Sequence, residues 1–368
     1  MRLILLIILG LFVYLYWPLI DENIRIGKEI IKSIPVEINR ETEKDHLSTL
    51  REEWNQIKTR INDISDKNTE KAKEPERKKG PNNQYFSVSN IELGDDRNKL
   101  EQWIGPPERS SINEYGVFWH TYHDHFQNFL MLAYDDEDKV AAIYTNHDLI
   151  SSTGGIELGS PRGFVLEQLG SPIERIQKGL TFYQLPHDRG YDLFHIDGAH
   201  VWIFYDFHQN DTVTAIQIIS NKLEQQRSNF YTRESDELRE GFEHQLFDLT
   251  NATRMKHNVP ILQWDNHAKN AARRHSKDMA DNGFFSHTNL NGKSPFDRME
   301  AENIPFSVAG ENLAYGQTSS IFAHEGLMNS IGHRENILRA DFRLVGIGVA
   351  FNLDSHPYYT QNFYSKRP

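Results

Sequence analysis

The sequence predicts an α+β protein, on three observations. Its middle contains an internal repeat, each copy reading as a short helix, a Gly-Pro turn and a β-meander. Two helical patterns and then a pair of strand-like runs occupy the C-terminal third. An uncharged apolar stretch opens the chain and sets the remainder apart from it. The 368 residues leave room for two or three domains.

A formal charge of −12 argues against a general nucleic-acid binder, because a polyanion is repelled outside any local basic patch. The absence of cysteine excludes disulfides, CxxC and zinc-finger sites, a catalytic thiol and a lipidated N-terminal cysteine. The C-terminal domain must therefore hold together by core packing.

Leu3 to Ile20 carries no charge, follows Arg2 and precedes Asp21-Glu22. A helix spanning a bilayer needs about 20 apolar residues. A cleaved signal peptide wants small residues after its apolar core; here the first alanine is Ala72, and the stretch ends Tyr14-Leu15-Tyr16-Trp17-Pro18, aromatics suited to a membrane interface. Residues 1–20 are expected to be a retained single-pass anchor in the cell membrane, contacting lipid through residues 3–20, with everything after it extracytoplasmic. The alternative is a cleaved signal.

Residues 21–84 read as a heptad-like helix and a charged linker. Leu47, Leu50, Trp54, Ile57, Ile61 and Ile64 fall at heptad spacing, which fits a homodimer through residues 47–64, a stalk, or an amphipathic helix lying on its own chain. Residues 63–84 have mixed charges, two prolines and almost nothing apolar, and so have too little burial to offset the entropy of ordering.

Residues 85–222 form the duplicated α+β module, with copies at about 90–150 and 155–220. Ile91-Glu92-Leu93-Gly94 returns as Ile156-Glu157-Leu158-Gly159, and Gly105 returns as Gly170. Strands are predicted at 117–122, 129–134 and 140–144 in the first copy, and at 180–185, 201–205 and 215–219 in the second. The two copies either complete one sheet or pack as two units. His123-Asp124-His125 has the look of a metal cluster; solvent-facing strand histidines are the plainer reading, because no equivalent triplet exists in the second copy.

From Glu237 the pattern is helical, with Leu238, Phe242, Leu246 and Leu249 on one stripe, ending near His257-Asn258. Asp265 caps a second helix whose packed face is unusually small, comprising Ala268, Ala271, Ala272, Ser276 and Ala280, with Gly283 as its stop. His275 reads as packed; His244, His257, His267 and His356 read as surface histidines. Strands at 344–351 and 358–363 follow as a hairpin. His324-Glu325 fails as HExxH because the fifth residue is Met328, and no G-x-S-x-G, Walker A or G-x-G-x-x-G occurs.

Between 238 and 366 several short motifs fall in a fixed order: Leu262-x-Trp264-Asp265, Phe284-Phe285-Ser286-His287, Gly310-Glu311-Asn312-Leu313-Ala314, Ser330-x-Gly332-His333-Arg334-x-Asn336-Ile337-Leu338, Val345-Gly346-Ile347-Gly348 and Tyr359-Thr360-Gln361-Asn362-Phe363. With Asn251 and Arg254, this region resembles the CAP superfamily (cysteine-rich secretory proteins, antigen 5 and pathogenesis-related class 1 proteins) in its bacterial form. More loosely, the repeat resembles the domain that precedes CAP domains in bacteria. The resemblance implies a three-layer α-β-α sandwich and a cleft carrying two histidines and two acids.

Position by position, His287, His333 and Glu311 match three places of that tetrad. The fourth falls near Ser330, where the acid is missing; Glu325, five residues earlier, is considered as a substitute but not adopted, and Leu327 stands where the family has tryptophan. The implied ligand-binding cleft comprises His287, Glu311, Asn312, Ser330 and His333, with Arg334, Glu335 and Asn336 at its rim. No catalytic residue is assigned.

Two imidazoles and a carboxylate are a workable zinc shell with an open water position. They serve equally as a general acid–base pair or as a hydrogen-bonded cluster that fixes the cleft. The expected function is non-catalytic binding of a cell-surface, lipid, wall or protein ligand. The alternative is a metal-dependent hydrolase of peptide or wall polymer using His287, His333 and Glu311. A third reading is a scaffold in which the repeat module and the heptad helix do the binding and the cleft is vestigial.

Overall fold

The computed structural model describes residues 80–186 and 189–367, which fall within one compact unit, Pro75–Pro368. The apolar segment 3–20, the heptad segment 47–64 and the linker up to residue 79 lie outside the described residues. Among the described residues, no helix is long and apolar enough to cross a membrane.

The first repeat copy runs β1 (Phe86–Val88), α1 (Arg97–Ile104), β2 (Arg109–Ile112), β3 (Phe118–Asp124), β4 (Gln127–Tyr134) and β5 (Val140–Thr145). The second runs β6 (Ile150–Ser152), α2 (Arg162–Leu169), β7 (Arg175–Lys178), β8 (Thr181–Gln184), β9 (Tyr191–Ile196), β10 (Ala199–Asp206) and β11 (Thr212–Ser220). The two meanders join through their last strands into one seven-stranded sheet, β2-β3-β4-β5-β11-β10-β9, with Ile218 opposite Ile143 at the seam. β1 and β6 pair separately.

The duplication extends to individual hydrogen bonds. Gly94 and Gly159 hold φ of 89° and 85°, a region open to glycine, and their N–H groups donate to Val140 O and Val213 O. The N–H groups of Arg97 and Arg162 donate to Asp138 O and Asp211 O. The same two guanidinium groups lie over the Tyr134 and Tyr205 rings.

The strand at 191–196 and the short strands β2 and β7 are additional to the sequence expectation. The predicted 180–185 run is an outlying hairpin strand, β8, paired with β7 rather than a member of the main sheet. The first-copy histidines also depart from expectation: His125 sits in the β3–β4 turn with φ 47°, so it cannot share a strand face with His123. The half-buried His123 ring stacks on Phe126 and Phe129, and no metal cluster forms there.

A short helix α3 (Asn221–Gln226) leads to α4 (Asp236–Lys256), then β12 (Gln263–Trp264), α5 (Asn266–Asn282), α6 (Pro295–Ala301), β13 (Phe306–Tyr315), α7 (Ser320–Asn329), α8 (Ile331–Leu338), β14 (Leu344–Phe351) and β15 (Pro357–Lys366). The second sheet has order β12-β14-β15-β13 and is antiparallel except at the short β12 edge. Helices α4, α7 and α8 cover one face and α5 the other, giving the three-layer sandwich.

The small-faced helix has its partner in this sheet. A Cβ on Gly346 would lie 2.0 Å from Lys269 N, and one on Gly348 would lie 2.0 Å from Arg273 N. Backbone therefore meets backbone where Ala268, Ala272 and Ser276 face β14, and Ser276 Oγ donates to Gly348 O at 2.8 Å.

Along β4, Leu130, Leu132 and Tyr134 enter a core beneath α1 and α2, while Phe129, Met131 and Ala133 enter a second core shared with Leu249, Ala252 and Ile321. Helix α4 thus lies between both sheets, which explains why it is buried almost all round rather than along one stripe. Polar contacts lock the junction: Arg109 Nε donates to Asp248 Oδ2 at 2.9 Å and Tyr144 O–H to Glu325 Oε1 at 2.8 Å. A Cβ on Gly241 of α4 would meet Ile112 O at 2.1 Å.

Candidate functional site

Strand β13 carries Glu311 and Asn312; the loop between α5 and α6 carries His287; the α7–α8 junction carries Ser330 and His333. The Glu311 side chain is only 1% exposed, whereas His287 is 53% exposed, so the imidazole stands at the surface over a buried carboxylate. His287 Nδ1–H donates to Glu311 Oε1 at 2.9 Å.

The other oxygen is occupied too. Arg298 of α6 donates to Glu311 Oε2 at 2.5 Å, and the same guanidinium holds His287 O at 2.7 Å. Asn362 lies opposite Glu311 in the β13–β15 register; in the orientation that satisfies both ends of its amide, it donates to Glu311 Oε2 at 3.1 Å.

His333 is held from the other side. Its Nδ1 is 2.8 Å from Ser330 Oγ, and its backbone carbonyl accepts from Asn312 Nδ2 at 3.0 Å. Burial pushes the His333 imidazole below the usual histidine range, and the nearby His287 pushes it the same way. Asn336 Nδ2 donates to Asn312 Oδ1 at 2.9 Å, tying α8 to β13.

Asn312 is fully buried and acts as a brace rather than as a ligand group. The structure therefore gathers His287, Glu311, Ser330 and His333, with Asn312 behind them.

Other expected residues lie elsewhere. Glu325 does not stand in for the fourth acid: it faces the repeat module and takes the Tyr144 hydroxyl. Arg334 is not at the cleft rim, since it pairs with Asp206 of the module at 2.9 Å. His275 is packed, as expected, with Nε2 donating to Ser286 O at 3.0 Å. His244, His257 and His356 are half-buried rather than surface groups. Arg298 has no place among the expected site residues; the only local sequence signal is the Ser294–Asp297 capping box that starts its helix.

The donors do not fit a resident metal. Glu311 has one oxygen on an imidazole and the other on a guanidinium, an arrangement that orients His287 rather than presenting an open carboxylate. Among the described residues, no group of three His, Cys, Asp or Glu side chains is placed to hold a metal ion, so the zinc set His287, His333 and Glu311 is not assembled as a first shell. Glu311 instead fixes the His287 tautomer and turns Nε2 outward, the task carboxylates perform behind functional histidines.

Residues 93–230 match the CAP-associated N-terminal family and residues 247–363 the cysteine-rich secretory protein family. A Bacillus subtilis (strain 168) protein named as an uncharacterized membrane protein, YlbC, is 42% identical over 121 residues; an uncharacterized protein of the same organism, YkwD, is 38% identical over 125. These matches take in 33% and 34% of this chain, and 34% and 48% of the two relatives.

Among solved structures, an extracellular protein containing an SCP domain from Bacillus anthracis (Ames) aligns over 79% of this chain and 99% of its own, at 26% identity and TM-score 0.65. A cysteine-rich secretory protein from Staphylococcus aureus (Mu50) aligns over 78% and 98%, at 14% identity and TM-score 0.60, a likeness of fold alone. Two family matches in the order of the two structural modules, and a solved relative of the same span, lead to one assignment: the chain belongs to the bacterial CAP superfamily, with a CAP-associated N-terminal domain ahead of its CAP domain.

Proposed function

We propose that this is a membrane-tethered, extracytoplasmic binding protein whose CAP cleft takes a cell-envelope ligand without turning it over. The observation that carries this reading is the double engagement of Glu311. An acid with one oxygen on His287 and the other on Arg298 serves to orient its partner.

Beside the imidazoles stand exposed apolar side chains: Phe285, two residues before His287; Tyr315, on the strand of Glu311; and Ile331, two residues before His333. A polar centre with apolar flanks suits a ligand that offers a hydrogen-bond donor beside apolar surface, as lipids, wall polymers and peptides do. The tether rests on the apolar segment 3–20 and on the name of the membrane relative. Residues 47–64 would then serve as a stalk or pair two copies.

The metal-dependent hydrolase reading loses its carboxylate to Arg298. The test uses the full chain in detergent, incubated with isolated cell envelopes and with purified wall sacculi. Wild type is expected to bind one of these at least tenfold more tightly than the His287→Ala/His333→Ala variant. Equal binding by the two proteins, or stoichiometric zinc that the variant loses, would overturn the proposal.

A further inference from the structure

The duplicated module carries its own control for what one copy needs in order to fold. The copies lie 65 positions apart at Gly105 and Gly170 but 71 apart at Tyr134 and Tyr205, so the second has six more residues between these marks. In the first copy this stretch gives β2, which joins the main sheet; in the second, β7 leaves that sheet and pairs with the added strand β8. Through Ile176, Gln184 and Leu185, the β7–β8 region walls a cavity of about 570 Å³, within the range of pockets that hold small ligands.

The sheet beneath the cavity also differs between the copies. Trp202 and Phe204 of β10 line it. The matching residues of β4, 71 positions earlier and just before an equivalent β-bulge, are the smaller Met131 and Ala133, which pack in the core with Leu249 and Ala252 of α4. Phe322 of α7 meets the Trp202 and Phe204 rings from the CAP side. Phe230, between α3 and α4, stacks on Tyr183 of β8 at 4.8 Å. Extra chain and larger rings, present in one copy alone, thus surround the open space.

Four charged residues line the cavity. Glu224 pairs with Lys178 and takes the Tyr115 hydroxyl. Glu325 takes the Tyr144 hydroxyl, and burial pushes it up to about 7. The buried Arg189 donates to the carbonyls of Tyr191, Pro186 and Ile173. Arg227 is different. It is half-buried, and its guanidinium lies 5.4 and 5.8 Å from the centres of the Tyr115 and Phe230 rings, both on the lining. It donates to the carbonyls of Asn229 and Phe230, and among the described residues it forms no ion pair. Glu114, buried and pushed by that burial up to about 7, is within range of its charge. With Glu224 on the lining and Glu114 in range, a second negative charge on an occupant would be repelled.

We infer that this cavity binds a small molecule with an apolar, ring-containing body and a single carboxylate, the body against Trp202, Phe204 and Phe322 and the carboxylate on Arg227. The cavity shares only Ser330 with the histidine cleft, and it holds its occupant whatever that cleft binds.

The test uses the full chain in detergent at pH 7, labelled with 5-fluorotryptophan. The probes are 2-naphthoate and its neutral counterpart 2-naphthol, with free concentrations fixed by dialysis. Of the six tryptophan signals, that of Trp202 is identified by its loss in Trp202→Phe. 2-Naphthoate is expected to shift it saturably, while the signal of Trp264, in the CAP domain, stays in place. It is also expected to bind at least tenfold more tightly than 2-naphthol. Arg227→Gln should remove that preference, and Arg227→Lys should keep most of it. 2-Naphthyl phosphate, with a second charge, should bind no more tightly than 2-naphthoate. Absence of a saturable Trp202 shift with 2-naphthoate, equal binding of the acid and the alcohol, tighter binding of the phosphate, or a preference that survives in Arg227→Gln would overturn the inference. The first three are read on wild type, so they decide the matter even where a variant fails to fold.

Discussion

Arg298 reaches across from α6 to hold Glu311 Oε2 at 2.5 Å, with the arginine side chain 10% exposed and the glutamate 1% exposed. This contact, more than the histidines themselves, sets what the cleft can do. It balances the carboxylate's charge with a buried cation and leaves His287 as the more exposed of the two groups on Glu311.

Removing the cation should therefore be costly. Arg298→Met leaves a buried carboxylate without its counter-charge, and breaking such a pair costs about 3–5 kcal/mol. The melting temperature is expected to fall sharply in Arg298→Met and to recover in part when Glu311→Gln is added. If Arg298→Met melts with wild type, the pair is not what stabilises the cleft.

The module junction should make stability depend on pH. Burial pushes Glu325 up to about 7, against the smaller opposing effects of the Tyr144 hydroxyl, Lys256 and Arg334 and with a contribution from Asp206. Glu114, pushed to about 7, and Asp248, pushed to about 6, shift in the same direction. A carboxyl whose folded pKa is raised holds its proton more tightly in the folded state, so its contribution is complete below about pH 4.5 and is lost as pH rises through 7. Glu325→Gln is expected to match wild type at pH 4.5 and to exceed it by on the order of 2–3 kcal/mol at pH 8. A difference that stays constant across this range in urea melts would contradict the assignment.

Two glycines should respond in opposite ways to the same methyl. At Gly348 the new Cβ would lie 2.0 Å from Arg273 N and 2.3 Å from its Cα, atoms of a helix backbone that cannot yield locally. Gly348→Ala is expected to cost roughly 2–3 kcal/mol or more by lifting α5 off the sheet. Gly326→Ala, with open space, is expected to gain up to about 1 kcal/mol. Equal effects in thermal unfolding would mean that the α5–β14 contact is looser than described.

Much of this architecture was legible because it is written in local patterns. Asp265 caps α5 by accepting from Ala268 N at 2.7 Å, and Gly283 ends that helix at φ 65°, both where the sequence places them. The repeated glycines 94/159 and 105/170 marked two copies, although not that β5 and β11 would pair to fuse them. Strand β9 is hidden in the sequence because Asp192 and His195 interrupt its apolar run; the buried Asp192 is paired with Arg162 at 2.7 Å.

The family resemblance, not spacing alone, implied that His287, Glu311 and His333 meet, but Arg298 belongs to no motif and meets Glu311 through the loop–helix path of 283–301.

The account depends most on the tautomer of His287, because an orienting Glu311 requires the proton on Nδ1 and a bare Nε2 facing the ligand. Nitrogen-15 NMR of the imidazole at pH 8 measures this directly. The structure calls for an Nδ1–H ring in wild type that shifts toward Nε2–H in Glu311→Gln; an Nε2–H ring in wild type would contradict it.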